Sequence, residues 1–442
     1  MPELIRTLRL RDMVLLVIGS VIGSGIFLVP GAILNQVDHS VAAAALVWIV
    51  GGILSLLGAL TYGELAAMKP EAGGLYVYIR DAFGPLPAFL YGWSMLLAIG
   101  SGSVSALAVA FSTYLAAVVP LNPVAEKIVA VAMVAVVTAV NVWGTRRSSD
   151  MQNWTTLVKT LLVLGISVTL LALGRGYSAI PAALWPVAGS GSLVAKFGLA
   201  MIAVLWAYEG WHFVTYSAGE VIHPQKDFPR ALFSAVVFLV GLYLTANLAY
   251  LAALGPEGAG HTETIAATSV ATVVGPGAAK IVALTILISV FSAANSVLLT
   301  APRVFYAMAA DGLFFRKLAE VHPRFHTPAV AVITLGAWSA VLACMGRFQQ
   351  LINYAIFVAW IFYGLAAAAI FFYRSRQPDA HRPYRVPGYP LTPLLFVTAA
   401  AALVLNVVLS SGRNAAIGLG MVALGLPAFL LWRKGNRVGT RP

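Results

Sequence analysis

The sequence predicts an all-α integral membrane protein with about 12 transmembrane helices. Of its 442 residues, 60% are hydrophobic and only 10% are charged, whereas soluble globular proteins average about 25% charged residues. The apolar residues form twelve segments long enough to cross a bilayer as helices, numbered here in chain order: 13–37, 41–68, 85–119, 124–144, 151–174, 198–217, 229–253, 279–309, 329–346, 349–373, 389–410 and 414–433. Because the gaps between them are short, we expect a single transmembrane domain over residues 1–442.

The positive charges predict the orientation of these segments. Of the 28 Lys and Arg residues, 21 lie on the side of the membrane that carries the N-terminus, and Lys159 lies within a segment. The remaining six lie on the other side: Lys127, Arg175, Lys196, Lys280, Arg347 and Arg413. Positive residues accumulate on the cytoplasmic side. We therefore expect a multi-pass protein of the plasma (inner) membrane with both termini in the cytoplasm, and the net charge of +12 does not indicate nucleic acid.

Segment 1 is interrupted by small residues. Residues 19–27 read Gly-Ser-Val-Ile-Gly-Ser-Gly-Ile-Phe, and each glycine weakens a helix by about 1 kcal/mol relative to alanine. Backbone that leaves the helix at membrane depth is tolerated only where it is buried in protein or lines a cavity. The stretch therefore predicts either a broken helix at a binding site or a face for close helix packing.

Two charged residues in the first five segments have different interpretations. Glu64 lies at the end of segment 2, where pairing with a loop arginine is favoured over a proton-carrying role. Lys159 lies about eight residues into segment 5, too deep for an easy reach to the headgroups. An ionisable group within a span is costly and by default functional, so Lys159 is a candidate functional residue.

Segment 6 carries a second interruption. Trp206 to His212 read Trp-Ala-Tyr-Glu-Gly-Trp-His, a polar and aromatic stretch in mid-segment. Segments 1 and 6 each open a block of five, so 13–174 and 198–373 are predicted to form two repeats of opposite orientation, with 389–433 as two additional helices. Paired interrupted segments in the two halves of a chain indicate a transporter binding site.

Glu209, within this second interruption, has three interpretations. A buried carboxylate must be protonated, paired or matched by a ligand charge. It either pairs structurally, with Lys159 or His212 as conceivable partners, or selects a positively charged substrate, or carries a proton. The sequence leaves these alternatives open.

Other function classes lack their motifs. The chain has no phosphate-binding loop, no catalytic constellation within the segments and no group of His, Cys, Asp and Glu with metal-ligand spacing. We therefore expect no enzyme activity, no cofactor and no metal. A channel would need a continuous polar lining, whereas this chain has two local breaks and a polar stripe in segment 8, which consists of Ser289, Ser292, Asn295 and Ser296.

An ordered set of motifs resembles a known family. The motifs are Gly-Ser-Gly-Ile-Phe in segment 1, Gly-Glu-Leu and Gly-Gly-x-Tyr-x-Tyr after segment 2, Trp-Ala-Tyr-Glu-Gly-Trp in segment 6, then Glu-Val-Ile-His-Pro-Gln-Lys-Asp-Phe-Pro-Arg-Ala, and Arg303 followed by Asp311-Gly312. The set is similar to the amino acid–polyamine–organocation superfamily, and within it to the L-type amino acid transporters and their bacterial relatives. The resemblance covers essentially the whole chain. It implies a leucine-transporter-like fold, a five-plus-five inverted repeat with helices 1 and 6 broken at the substrate.

The resemblance also implies roles for particular residues. The backbone groups that would bind the substrate carboxylate belong to Ile22, Gly23, Ser24, Gly25 and Ile26, and the carbonyl groups that would bind its amine belong to Trp206, Ala207, Tyr208 and Glu209. Trp206 would close over the substrate, and Asn295 would lie beside the pocket. The ammonium of Lys159 would replace a sodium ion of sodium-coupled relatives. Glu209 departs from the small residue that many neutral amino acid carriers have.

The expected function is sodium-independent transport of L-amino acids, by exchange or by proton coupling. A zwitterion suits such a site because helix amide ends favour a carboxylate and carbonyl ends favour an ammonium. The alternative is a carrier of cationic amino acids or polyamines that uses Glu209. We expect a small-molecule substrate and the lipid bilayer as partners. A disulfide-linked heavy chain is not expected, since the single cysteine, Cys344, is not suitably placed.

The charge asymmetry can be tested by labelling. In a Cys344→Ala background, cysteines introduced at Arg147 and Arg376 should react with an impermeant maleimide only from the cytoplasmic side, because both lie on the positively charged side. Labelling of either cysteine from outside would contradict the twelve-segment topology.

Overall fold

The computed structural model describes residues 4–116, 118–184, 193–262, 264–345, 348–410 and 412–438, and these form helices and turns with one isolated bridge between Leu8 and Val221. Arg347 and Arg441, which contribute to the charge count, lie outside the described residues. Within them, ten helices are long and apolar enough to cross a membrane: Val41–Met68, Pro85–Ala116, Pro123–Val142, Thr145–Leu173, Lys196–Glu220, Pro224–Gly260, Pro276–Ala310, Ile356–Arg376, Leu391–Leu409 and Ala415–Trp432.

Two further predicted segments are also helical. Leu10–Val21 and Gly25–Gln36 form a pair bent by 46°, which counts as an eleventh span if it is one crossing, and Ala329–Met345 is a shorter apolar helix. The all-helical membrane fold is thus confirmed, while the number of twelve crossings and the inverted repeat stay predictions. Several helices extend beyond the apolar segments. The helix of segment 5, for example, begins at Thr145 rather than at 151. Apolar residues mark the part of a helix that lies in the bilayer, and the helix itself can be longer.

The interruption in segment 1 is a break in the helix. The first half-helix, Leu10–Val21, ends at Ile22, whose ψ of 86° is not helical, and the second begins at Gly25. Close packing brings this break against segment 5, since a Cβ added to Gly19 would lie 2.1 Å from Gln152 Nε2. The helix thus breaks here, and its small residues also permit close contact, while the role of the break in binding stays a prediction.

Segment 6 breaks at the same level. Its first helix, Leu193–Ala207, ends before Gly210, which has a φ of 112°, and 3₁₀ turns continue from Trp211 to Glu220. Glycine suits this left-handed conformation because it has no Cβ. The two breaks touch, because a Cβ added to Gly25 would lie 2.9 Å from the Ala207 Cα atom.

The end of the bundle that carries the N-terminus is closed by buried polar contacts. Arg303 donates from Nε to Glu220 Oε2 at 2.6 Å and from a second nitrogen to Glu220 Oε1 at 2.9 Å. The Thr145 hydroxyl donates to Glu220 Oε1 at 2.6 Å. The Leu8 amide donates to the Glu220 carbonyl at 2.9 Å. These contacts join the N-terminal stretch to segments 5, 6 and 8.

Glu64 is part of a separate ion pair at this end of the bundle. Arg374 donates to both of its carboxylate oxygens, at 3.0 and 2.7 Å, and the amide of Val386 donates to Oε2 at 2.6 Å. Glu64 therefore pairs with an arginine, as the favoured interpretation predicted.

Candidate substrate site

A small cavity lies between the two helix breaks. Its volume is about 40 Å³, and one water molecule needs about 10–15 Å³ by the same measure. The lining combines apolar side chains with hydroxyl groups and one carboxylate: Ser20, Val21, Gly23, Ser24, Gly25, Ser103, Leu107, Trp206, Glu209, Phe213, Ala293 and Val297. In this conformation the cavity therefore has room for about three water molecules.

The segment 1 side of the cavity has the character of an anion site. The second half-helix begins at Gly25, and the first amide groups of a helix have no acceptor within it. The helix dipole makes this end partially positive. Ser24 Oγ, which is buried here, has no hydrogen-bond partner in the described part of the chain, and buried polar groups are normally paired. This side suits a carboxylate.

The segment 6 side has the opposite polarity. The helix ends at Ala207, and the last carbonyl groups of a helix carry its partial negative charge. The Glu209 amide bonds back to the Trp206 carbonyl at 3.0 Å, which tightens the final turn. A zwitterion placed between the two helix ends would match both poles.

Half of the residues predicted for substrate binding line this cavity, namely Gly23, Ser24, Gly25, Trp206 and Glu209. Four others pack beside it without contributing to the described lining: Ile22, Ile26, Ala207 and Tyr208. Tyr208, for example, packs its ring against Trp48 and Tyr243.

Asn295, which the resemblance places beside the pocket, makes its hydrogen bonds to neighbouring helices. Although buried on segment 8, it is absent from the lining described above, which segment 8 supplies through Ala293 and Val297. Its amide donates to Gln152 Oε1 at 2.9 Å, and its oxygen accepts from Asn141 at 2.8 Å. It therefore joins segments 4, 5 and 8 instead of contacting the pocket.

Seven lining residues were missed by the sequence analysis: Ser20, Val21, Ser103, Leu107, Phe213, Ala293 and Val297. Ser103 belongs to the small-residue run Gly-Ser-Gly-Ser at 100–103, a signal of close packing that does not reveal a cavity. The apolar residues have no distinguishing pattern, because they resemble any other helix face.

Lys159 bonds to backbone released by the break in segment 1. Its Nζ donates to the carbonyl oxygens of Gly19 at 2.7 Å, Ile22 at 2.6 Å and, more weakly, Ser289 at 3.4 Å. The Ser289 hydroxyl also lies within hydrogen-bond distance of the carbonyls of Ile22, at 2.8 Å, and Gly23, at 2.9 Å. The ammonium thus joins segments 1, 5 and 8, and it is not the partner of Glu209.

Glu209 is paired by a residue that the sequence did not indicate. The Tyr363 hydroxyl on segment 10 donates to Glu209 Oε1 at 2.6 Å. His212 Nε2 lies 3.9 Å from the same oxygen, too far for a hydrogen bond. The carboxylate is therefore held by a neutral donor while it lines the cavity.

Away from the cavity, the structure brings together three residues that spacing did not connect. Ligand atoms of His39, Glu257 and His261 lie within 4.8 Å of one another. The two imidazole rings are stacked, however, with centroids 4.7 Å apart and planes at 13°. A ring nitrogen binds a metal in the plane of its ring, so nearly parallel rings do not direct both lone pairs to one ion.

Comparison with known proteins assigns this architecture. Residues 8–426 match the amino acid permease family. The chain is 30% identical over 422 residues to the serine/threonine exchanger SteT of Bacillus subtilis, covering 95% of each chain. It is also 30% identical over 400 residues to the mouse b(0,+)-type amino acid transporter 1, covering 89% of this chain and 81% of that protein. The human cystine/glutamate transporter is 30% identical over 450 residues, covering 98% and 87%.

The fold and the site define a multi-pass membrane transporter, not an enzyme. The chain belongs to the amino acid permease family, as the motif resemblance predicted.

Gly25 provides a direct test of the site. Gly25→Leu should leave a folded, extractable protein with little or no substrate binding, because even a Cβ there would lie 2.9 Å from Ala207 Cα. Binding is measured by scintillation proximity with radiolabelled amino acids. Gly165→Leu is the matched control, since nothing lies within 4 Å of a Cβ at that position. Gly25→Leu binding within a few-fold of wild type would mean that the carboxylate site lies elsewhere.

Proposed function

We propose that this protein exchanges small L-amino acids across the plasma membrane by alternating access, independently of sodium. The observation that carries the proposal is the meeting of two helix ends of opposite polarity at one cavity. An α-amino acid has the complementary charges at a fixed short separation, so a single pair of helix breaks suits many amino acids alike. The side chain is then selected by the rest of the lining.

The size and chemistry of the lining favour a small side chain. The cavity of about 40 Å³ is bounded by Ser20, Ser24 and Ser103 together with the large rings of Trp206 and Phe213. The hydroxyl groups suit the side chains of serine and threonine, and the small volume also suits alanine, whereas a longer side chain would have to displace one of the rings. A relative of similar length is described as a serine/threonine exchanger, which agrees with this preference.

The position of Lys159 supports sodium independence. A broken helix leaves carbonyl groups that need a cation or a donor, because unsatisfied buried polar groups cost about 1–3 kcal/mol each. The Lys159 ammonium donates to the carbonyls of Gly19 and Ile22 at 2.7 and 2.6 Å. A fixed charge in this place removes the need for a bound sodium ion.

Alternating access is supported by the closed end of the bundle. Arg303 and Glu220 form a buried pair at the end of the bundle that carries the N-terminus, and on our proposal release toward that side requires the pair to separate. On our proposal the repeats 13–174 and 198–373 move relative to each other around the two breaks. We further propose, from the charge asymmetry, that both termini lie in the cytoplasm.

The second candidate is a carrier of cationic amino acids or polyamines. It is favoured by one observation, the carboxylate of Glu209 in the cavity lining. Against it stand the small volume and the Tyr363 hydroxyl, which already occupies one carboxylate oxygen. Proton coupling through Glu209 is the third possibility for this residue, and it is compatible with transport of neutral amino acids.

Counterflow in proteoliposomes tests the function. Wild-type protein loaded with serine should exchange alanine, serine and threonine equally well in sodium and in choline, because Lys159 supplies the positive charge. Lys159→Ala should lose most of this transport, since the carbonyls are left without a donor, while Lys280→Ala, an exposed lysine, should not. Strict sodium dependence of the wild type would refute the proposed role of Lys159.

Glu209→Gln separates the roles of the carboxylate because it keeps size and removes charge. Structural pairing predicts a lower melting temperature with all substrates affected alike, and Tyr363→Phe should reproduce that effect by removing the donor. Substrate selection predicts a larger loss for lysine and arginine than for alanine. Proton coupling predicts loss of pH-gradient-driven uptake with exchange intact. If none of these changes occurs, Glu209 has no functional role.

A further inference from the structure

A second cleft opens at the end of the bundle that carries the N-terminus. Its volume is about 280 Å³. Three parts of the chain form it: the N-terminal stretch with Ile5 and Thr7, the turn Trp143–Arg147 between segments 4 and 5, and the loop residues 324–326 after segment 8. Nothing in the proposed transport cycle uses this cleft.

The cleft is basic, and two of its three arginines have no acidic partner. Arg146 is balanced by Asp12 at 2.9 Å and by Asp150. Arg147 and Arg324 have no carboxylate within ion-pair distance in the part of the chain that the structure describes, and Arg324 lies over the Phe325 ring at 5.5 Å. The described lining includes no acidic side chain, so the cleft has uncompensated positive charge.

The lining also has polar groups that need a partner. Thr7 Oγ1 and His326 Nδ1 are buried and make no hydrogen bond within the described residues, whereas buried polar atoms are normally paired. The helix of segment 5 begins at Thr145, inside the cleft, and its first amide groups have no acceptor within the helix. A helix start of this kind favours an anion. The guanidinium groups and the helix start thus border one cleft, together with Thr7 and His326.

The position of the cleft indicates a lipid as the source of the anion. Trp143 is 53% exposed and directly follows the helix Pro123–Val142. Tryptophan at the end of a span lies at the level of the lipid headgroups. Ile5, 47% exposed, adds apolar surface at the same rim. Basic clefts on the cytoplasmic side of transmembrane helices suit anionic headgroups.

We propose that this cleft binds the phosphate of an anionic glycerophospholipid, held chiefly by Arg147 and Arg324. The lipid joins the three parts of the chain that form the cleft. Two of these also close the inner end of the bundle, because Leu8, next to Thr7, bonds to the Glu220 backbone, and Thr145 bonds to the Glu220 side chain. The bound lipid therefore stabilises the conformation in which Arg303 and Glu220 are paired.

Lipid titration of the full-length protein tests the proposal. Purified protein is titrated with phosphatidylglycerol or phosphatidylcholine, and bound lipid is counted by native mass spectrometry while the melting temperature is recorded. Phosphatidylglycerol should bind more tightly and raise the melting temperature more than phosphatidylcholine. Arg147→Gln/Arg324→Gln should weaken phosphatidylglycerol binding by about 10- to 30-fold, as expected for the loss of two positive charges near an anionic headgroup.

Matched variants separate this site from general charge effects. Arg316→Gln/Lys317→Gln removes two exposed positive charges from the same loop outside the cleft, and it should keep wild-type lipid binding. Equal loss in both double variants, or no preference for phosphatidylglycerol, overturns the proposal. Inorganic phosphate that protects as well as the lipid at equal concentration assigns the site to a soluble anion instead. Should the double variant fail to fold, Arg324→Gln alone must still weaken phosphatidylglycerol binding by several-fold.

Discussion

The contact on which the broken part of segment 1 depends is that between the Lys159 ammonium and the carbonyls of Gly19 and Ile22. Backbone that leaves a helix within the membrane needs donors from neighbouring protein, because lipid supplies none. One buried lysine and the Ser289 hydroxyl supply them from segments 5 and 8. The second half-helix can then begin at Gly25 with its amide end toward the cavity. The charge itself is stabilised by three carbonyl dipoles in place of water.

The cavity follows from the meeting of this break with the break in segment 6. Each break by itself is a local irregularity, and together they present a positive and a negative helix end to the same space. The contact of Gly25 with Ala207 sets how closely the two approach. Glu209 modifies the negative side, and its bond with Tyr363 connects the substrate region to segment 10. Movement of segment 10 would therefore change the electrostatics of the cavity directly.

The inner end of the bundle shows how closure is stabilised away from the cavity. Breaking a buried ion pair costs about 3–5 kcal/mol when one partner is removed, so Arg303 and Glu220 separate only where water can replace their contacts. In the proposed transport cycle, opening toward the N-terminal side would hydrate both groups together. The basic cleft is formed by some of the same elements, so the proposed lipid would act on this step.

The sequence by itself determined the class of protein and the positions of the breaks. Apolar length, charge asymmetry and the glycines of residues 19–27 can each be recognised in the sequence without knowing which helices contact one another. The cost of a lysine in a span likewise marked Lys159 as a candidate functional residue. The family motifs assigned predicted binding roles to five residues that line the cavity. These motifs coincide with the two backbone breaks.

Only the tertiary structure decided which groups meet. Tyr363 pairs with Glu209, and Ser289 shares carbonyls with Lys159, although each pair is far apart in the chain. Asn295 bonds to segments 4 and 5. The polar stripe of segment 8 predicts which side chains share a face of the helix, and it does not predict which neighbour that face contacts. The basic cleft could not be predicted from the sequence either, because its arginines come from separate loops that only folding brings together.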